Sequence, residues 1–397
     1  MHWLDWLVML GTLGAIVTYG VYHTRNVKSV QSYLLGDRDL RWWTIGLSVM
    51  ATQASAITFL STPGQAFEDG MRFAQFYFGL PIAMVFLCIF VLPIYYKLKV
   101  YTAYEYLEGR FDLRTRTLTA SLFLVQRGLA AGITIYAPAI ILSTLLKWDL
   151  NWTILAIGII VVFYTVMGGT KAVSVTQKQQ MIIILSGMFV AAIILMNQLP
   201  EGVDFYDAVG VAGKMGKLNV VDFSFDMSNR YTFWSGMLGG VFLFLSYFGT
   251  DQSQVQRYLS GRSLTESRLG LLFNGIIKVP MQFLVLFVGI LVFVFFLFVK
   301  PPIHFNTANL EIVEENAITA AELEHLQASY DIILEQKQAT VDEMMLAMDS
   351  EDEVAIAASS DKMAHYQQVD EAFREEVRWL IDVASDNTAK TKDTDYV

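Results

Sequence analysis

The chain has 397 residues, of which 54% are hydrophobic and 17% charged, and its formal net charge is −10. The charged fraction lies below the roughly 25% of a soluble domain, and several apolar runs reach the about 20 residues that cross a bilayer. These properties exclude an ordinary soluble enzyme and predict a multi-pass membrane protein. Cys88 is the single cysteine, so no intramolecular disulfide can form.

In chain order, the apolar runs predict eight membrane-spanning helices, the first of them retained rather than cleaved as a signal peptide. They cover residues 3–22, 42–66, 72–96, 117–146, 150–168, 172–197, 231–250 and 268–299. Every second loop is basic: 23–41, 97–116, 169–178 and 251–268 hold 14 Lys and Arg together. Because basic loops face the cytoplasm, we expect the N-terminus to lie outside a cell (inner) membrane.

An acidic segment follows the last predicted span. Residues 300–397 carry 22 of the 38 acids but only 7 of the 28 bases, which predicts an extramembrane segment outside the membrane. Acids and apolar residues interleave there in two stretches, the pattern of solvated helices. Neither stretch has the spacing of a nucleophile with its base or of metal ligands, and the chain shows no phosphate-binding loop or zinc motif. We predict a helical hairpin without enzymatic activity.

The second predicted span is polar and breakable. It continues into ATQASAITFLSTPGQAFEDG, in which hydroxyl residues recur at helical spacing and Pro63-Gly64 follows. Hydroxyls that bond to their own helix explain one or two such residues but not the whole stripe. We interpret the segment as a discontinuous helix, whose freed carbonyls coordinate Na⁺ at mid-membrane in secondary transporters. Four glycines in 231–250 predict a second interrupted span, five spans later.

Two cations lie inside predicted spans. Arg127 and Lys278 each stand ten residues into a helix, about 15 Å deep in a core about 30 Å thick. A lone cation there costs at least about 2.5–3.5 kcal/mol, and these spans offer no obvious acid. Either the cations snorkel to the inner surface, which suits Arg127 better, or they face a polar solute such as one with a carboxylate. Phe244 and Tyr247 occupy the inner half of the seventh span.

Five stretches resemble the sodium:solute symporter family, which includes carriers of sugars, proline, sialic acid and monocarboxylates. They are SYLLGDRDLRWWTIGLSVMATQASAITFLSTPGQAFEDG, YTAYEYLEGRFDLRTRTL, GITIYAPAIIL, YTVMGGTKAVSVTQKQQ and YFGTDQSQVQRYLSGRS. The resemblance implies an all-α membrane protein with the leucine-transporter-like fold of two inverted five-helix repeats. It assigns 1–22 to an extra helix, 42–197 to the first repeat, 231–299 to two helices of an incomplete second repeat, and 300–397 to the acidic segment.

The resemblance also implies a site. It makes Na⁺ the coupling ion, held by the backbone carbonyls of Ala51 and Ala54. Lys278 matches a lysine that contacts solute in the sugar carriers, and Tyr247 matches an aromatic inner gate. The candidate solute-binding residues are Gln53, Thr58, Tyr77, Arg127, Phe244, Tyr247 and Lys278. Many family members have an acid where this chain has Gln177, so a second sodium site is not implied.

The predicted function is sodium-coupled symport of a sugar, sugar acid or carboxylate, with the solute and the lipid bilayer as partners and no nucleic acid. In the family, a helix beyond residue 299 completes the sodium shell. We therefore expect a truncated form, or missing helices on another chain, and no coupled transport by these 397 residues alone. The alternatives are a solute-sensing receptor or scaffold, although the external segment lacks any phosphotransfer motif, and an inactive fragment.

Overall fold

A computed structural model describes residues 3–24, 29–146, 148–200, 203–226 and 228–385. These residues form helices and loops, with one isolated bridge between Leu40 and Gly261 and no β-strand among them. The chain divides into two compact units. Unit 1 comprises Met1–Leu60, Phe73–Met188 and Val221–Leu284, and unit 2 comprises Ser61–Arg72, Phe189–Val220 and Val285–Val397.

Sixteen α-helices follow one another along the described part of the chain. They are α1 Trp3–Thr24, α2 Val30–Leu35, α3 Trp42–Gln53, α4 Ala56–Asp69, α5 Gly79–Phe86, α6 Leu92–Leu98, α7 Glu105–Arg110, α8 Leu113–Leu146, α9 Leu150–Asn197, α10 Phe205–Lys214, α11 Gly240–Thr250, α12 Gln252–Leu259, α13 Leu264–Phe298, α14 Thr307–Glu314, α15 Ala317–Asp349 and α16 Glu353–Ala384. A 3₁₀ segment, Gly70–Phe78, links α4 to α5, and π-turns at Leu87–Val91 and Ser235–Gly239 precede α6 and α11.

The apolar helices correspond to the predicted spans with two differences. Four helical segments are long and apolar enough to cross a membrane, namely Ile57–Leu98, Leu113–Ser143, Gly169–Asn197 and Leu264–Phe298. Three shorter apolar helices are Trp3–Ile16, Leu150–Phe163 and Ser235–Thr250. The loop predicted between the second and third spans is helical, and the fifth and sixth spans form one long helix, α9. A kink at Gly169, whose φ of 58° suits glycine, separates the two halves of α9.

Polar side chains mark several helix starts in the way their types favour. The Asp251 carboxylate accepts the Ser253 amide at 2.9 Å at the start of α12. Asp204 and Asp207 form a reciprocal capping box at the start of α10. These acids therefore fix the points at which the loops turn into helices.

Glycines allow the Ser235–Gly239 turn and α11 to approach the 3₁₀ segment and α5 closely in unit 1. A Cβ built on Gly236 would lie 2.1 Å from the carbonyl oxygen of Gln75, and one on Gly79 would lie 2.5 Å from the amide nitrogen of Val241. Small residues at such contacts are typical of membrane helices, because no hydrophobic driving force operates between helices in lipid. This close contact fixes where the aromatic side chains of α11 lie.

We expect Gly236→Ala to destabilise the protein by about 1–3 kcal/mol, because the added methyl must displace backbone. Gly239→Ala is the matched control, since a Cβ there meets nothing within 4 Å. Thermal unfolding in detergent, followed by size-exclusion chromatography, measures the difference. Equal midpoints for the two variants would show that the close contact does not matter for stability.

The acidic helices belong to unit 2. α15 and α16 pack as a hairpin, and α14, which the sequence pattern does not predict, packs beside them. A buried ion pair joins the two long helices, with 2.5 Å between the Lys337 Nζ and a carboxylate oxygen of Asp370. In the same unit, the ammonium of Lys217 donates to the carbonyl of Phe67 at 2.9 Å, near the C-terminal end of α4. Burial lowers the pKa of Lys217 to about 8.

Candidate functional site

A discontinuous helix forms the centre of the site, as the sequence predicts. α3 ends at Gln53, Ala54 takes an extended conformation with φ −90° and ψ 105°, and α4 begins at Ala56. The proline of the polar stretch does not mark the break, because Pro63 lies inside α4. A proline removes one donor from a helix, and membrane helices tolerate that loss where neighbouring groups compensate. The helix breaks instead where side chains replace the backbone partners.

The break releases two carbonyl groups. The Ser55 amide donates to the Thr58 hydroxyl at 3.3 Å, whereas in a continuous helix it would bond to the Ala51 carbonyl. The Thr58 amide donates to the Ser55 carbonyl at 3.0 Å, whereas in a continuous helix it would bond to the Ala54 carbonyl. The two carbonyls that the family resemblance assigns to sodium thus both lose their usual donors. Such oxygens suit Na⁺, and Thr58 holds the break open.

The hydroxyl groups of Ser48 and Thr52 on α3 bond to the side-chain amide of Gln177 on α9. The side-chain oxygen of Gln177 accepts from the Ser48 hydroxyl at 2.8 Å and from the Thr52 hydroxyl at 3.2 Å. Thr52 also bonds to the Ser48 carbonyl of its own helix at 2.8 Å. The single hydroxyl hydrogen of Thr52 is therefore shared between the Ser48 carbonyl and Gln177, so Ser48 is the full donor to the Gln177 oxygen, and the Gln177 side chain carries no charge.

Three candidate solute residues come together in unit 1. Lys278 is fully buried, and its ammonium lies 5.8 Å from the centre of the Tyr77 ring. The Tyr77 ring lies 5.8 Å from that of Phe244. Within the described part of the chain, the Lys278 ammonium has no hydrogen-bond partner. An aromatic face attracts a cation but does not neutralise it, so this ammonium lacks a counter-charge.

The helix that carries Lys278, α13, packs near the helix break. The neighbour of Lys278, Ile277, packs on a small apolar cluster of Met50, Met181 and Met281, against which Ala51 also packs. This cluster joins α3, α9 and α13 within unit 1. Thus α13 and the end of α3 that carries Ala51 share one packing cluster.

Arg127 has a carboxylate partner, which corrects the expectation that no acid faces it. Its guanidinium donates to both carboxylate oxygens of Asp251, with a distance of 3.3 Å from Nε. The same guanidinium lies 5.6 Å from the centre of the Tyr247 ring, and the Tyr247 hydroxyl accepts from Gln254 at 2.8 Å. Asp251 directly follows the last residue of the predicted seventh span and therefore lies outside the predicted spans. Arg127 and Tyr247 therefore form a second group, at the junction of α11 and α12.

The prediction that the seventh span is interrupted among its glycines is wrong. The Ser235–Gly239 π-turn continues directly into α11, and the extended residue is Asp251, with φ −74° and ψ 116°. Two of the glycines, Gly236 and Gly240, instead allow a close approach to the 3₁₀ segment at Gln75 and Phe76. The seventh span therefore does depart from regular helix, but at Asp251 and not at the glycines.

Sequence reasoning missed two polar residues on α13. Asn274 and Gln282 are fully buried, and both amide atoms of each have no hydrogen-bond partner among the described residues. They precede and follow Lys278 by four residues, so all three share one face of the helix. The four-residue spacing of these polar residues in an otherwise apolar helix is the sequence feature that could have identified them.

Known proteins resemble the chain over most of its length. The profile of the sodium:solute symporter family matches residues 33–322. The human sodium/iodide cotransporter is 35% identical over 251 residues, 63% of this chain and 38% of that protein. Human sodium-coupled monocarboxylate transporter 1 is 34% identical over 278 residues, 68% of this chain and 44% of that protein. The chain thus spans about two fifths of the length of these relatives.

A solved structure shows the same fold. The substrate-bound, outward-open state of a Na⁺-coupled sialic acid symporter is similar with a TM-score of 0.68, covering 98% of this chain and 76% of that chain at 22% sequence identity. The described architecture is all-α and leucine-transporter-like, as the resemblance implies, and Na⁺ is the coupling ion of this group. With its helix broken at Ala54 and its family motifs in order, the chain belongs to the sodium:solute symporter family.

Proposed function

We propose that the protein belongs to a carrier that couples Na⁺ to the movement of a small organic anion across the cell membrane, with its N-terminus outside. The observation that carries the proposal is the fully buried Lys278 ammonium, for which the described residues supply no hydrogen-bond partner. Burying an unpaired charge is costly. A carboxylate of the solute would supply both the counter-charge and the acceptors that the ammonium lacks. The two human relatives are named for anionic cargo, iodide and monocarboxylate.

Each candidate residue has a role in this proposal. The carbonyls of Ala51 and Ala54 hold Na⁺, and Gln53, whose side-chain oxygen is buried without a partner in the described chain, stands beside the solute. Tyr77 and Phe244 form an aromatic wall next to the cation. Na⁺ and the solute favour one state of the carrier over the other, and this difference in affinity drives alternating access.

Two further assignments complete the proposal. Arg127, paired with Asp251, positions Tyr247 at the inner end of the seventh span and does not itself bind the solute carboxylate. Because Gln177 is neutral at a position where many family members have an acid, we assign one Na⁺ to each solute. The supply of further helices by another chain remains a prediction.

Equilibrium binding tests the proposal. The purified 397-residue protein in nanodiscs is titrated with radiolabelled pyruvate, gluconate and glucose, in NaCl and in choline chloride. We expect at least one of the two anions to bind, and to bind only in NaCl, while glucose does not bind. Binding of glucose alone, or anion binding that is equal in the two salts, would contradict the proposal.

A further inference from the structure

A basic segment of unit 1 has no role in the proposed transport. Residues 97–116 hold 5 of the 28 bases, the largest number in any of the four basic loops. Three of these bases, Lys97, Lys99 and Arg114, are exposed, and no ion pair joins them to an acid in the described part of the chain. We call these three residues the basic cluster.

The acids of the segment are bonded elsewhere. The segment holds 5 bases and 3 acids, which leaves a net charge of +2. Arg116 pairs with both Glu105 and Glu108, and its distance from the Glu105 carboxylate is 3.6 Å. The Asp112 carboxylate accepts the amide and the hydroxyl of Thr115, each at 2.7 Å, at the start of α8. The basic cluster is thus left without a carboxylate partner among the described residues.

Glu105 also brings the two ends of the segment together. The Tyr101 amide donates to its carboxylate at 2.5 Å, and Arg116 contacts the same carboxylate. Lys99 and Arg114 each stand two residues from one of these contacts, and two residues of backbone span at most about 7 Å. The third member of the basic cluster precedes Lys99 by two residues, in the last turn of α6. The basic cluster is therefore gathered at the start of α8.

An exposed apolar stripe continues from Arg114 along α8. Leu118 and Leu122 follow Arg114 at intervals of four residues, so all three share one helix face. The exposed members of the stripe are Leu118, Leu122, Val125, Leu129 and Ile133. At 1.5 Å per residue the stripe extends about 22 Å, which exceeds the hydrocarbon depth of one leaflet, about 15 Å. The basic cluster thus stands at headgroup depth, at the end of a surface that suits acyl chains.

We propose that the basic cluster and the stripe on α8 form a binding site for an anionic phospholipid. The lipid phosphate contacts Lys99 and Arg114, and the acyl chains follow the stripe into the bilayer. A zwitterionic headgroup carries its own cation, which competes for the phosphate, so the site favours a lipid with net negative charge. A free phosphate ester would meet the cations but leave the stripe uncovered. Such a site does not depend on which solute the carrier moves.

Native mass spectrometry of the purified protein in detergent tests the proposal. It measures the affinity of the first bound molecule of dioleoyl phosphatidylglycerol and of dioleoyl phosphatidylcholine. Each cation near an anionic surface strengthens binding about fivefold, so we expect phosphatidylglycerol to bind at least about tenfold more tightly. Excess glycerol 3-phosphate should not displace it. Equal affinities for the two lipids would overturn the proposal, and displacement by glycerol 3-phosphate would show a phosphate site instead of a lipid site.

Variants assign the preference to the basic cluster. Lys99→Gln combined with Arg114→Gln should reduce the preference for phosphatidylglycerol to less than about threefold. The matched control combines Lys300→Gln with Lys362→Gln, two exposed lysines of unit 2, and should keep the wild-type preference. A full preference in the first double variant would contradict the assignment. The wild-type comparison of the two lipids decides the proposal even if a variant does not fold.

Discussion

Lys278→Met should lower the affinity for the anionic solute by two to three orders of magnitude. Removing one partner of a buried charge pair costs about 3–5 kcal/mol, and each 1.4 kcal/mol is a factor of ten in affinity. Methionine has nearly the same length and no charge, so the unliganded protein should unfold at the same temperature or higher. Binding of labelled gluconate and pyruvate in NaCl, together with thermal unfolding without solute, measures both effects.

Lys300→Met is the matched control. That lysine is exposed and pairs with Asp331 at 2.5 Å, so its replacement should leave solute binding unchanged. Unchanged binding by Lys278→Met would remove Lys278 from the site. A fall in its unfolding temperature would show instead that the ammonium stabilises the empty protein.

Thr58→Val should raise the Na⁺ concentration needed for half-maximal solute binding by about tenfold. The Thr58 hydroxyl accepts the Ser55 amide at the break, and loss of such a helix-start hydrogen bond costs about 0.5–2 kcal/mol. Without it, the Ser55 amide can return to the Ala51 carbonyl, where it competes directly with Na⁺. Solute binding measured over a series of NaCl concentrations, with choline chloride keeping ionic strength constant, gives the midpoint.

Thr134→Val is the control for this change. The Thr134 hydroxyl bonds to the Ala130 carbonyl at 2.8 Å on an exposed part of α8, away from any break. Its replacement should leave the Na⁺ midpoint unchanged, and Thr58→Ser should restore the wild-type midpoint. A normal midpoint for Thr58→Val would mean that the open break does not depend on the threonine hydroxyl.

The broken helix shows what the sequence could and could not predict. A polar, proline-containing stretch in a membrane span was sufficient to predict a discontinuity. Its position was not predictable from Pro63, because the break depends on which side chains can take over backbone hydrogen bonds. Ser55 and Thr58 do so at a break about two and a half turns before Pro63, and local hydrogen-bond geometry rather than helix propensity selects that position.

The buried cations show a second limit. Depth along the helix correctly placed Lys278 inside the protein, because an apolar span leaves little other position for it. The same argument could not find Asp251 beside Arg127, since the two residues are 124 positions apart and meet only in the folded bundle. The sequence could have indicated that Asn274 and Gln282 share a helix face with Lys278, because each is four residues from it. Their polarity becomes informative only when their burial is known.

The proposed stoichiometry of one Na⁺ for each solute has an energetic consequence. One Na⁺ carried together with one monovalent acid moves no net charge through the bilayer. A transmembrane voltage changes the free energy of moving one elementary charge across the bilayer by about 2.3 kcal/mol per 100 mV. Because such a cycle moves no net charge, the voltage would contribute nothing to it. Accumulation of the acid would then follow the sodium concentration ratio alone and persist in a depolarised cell.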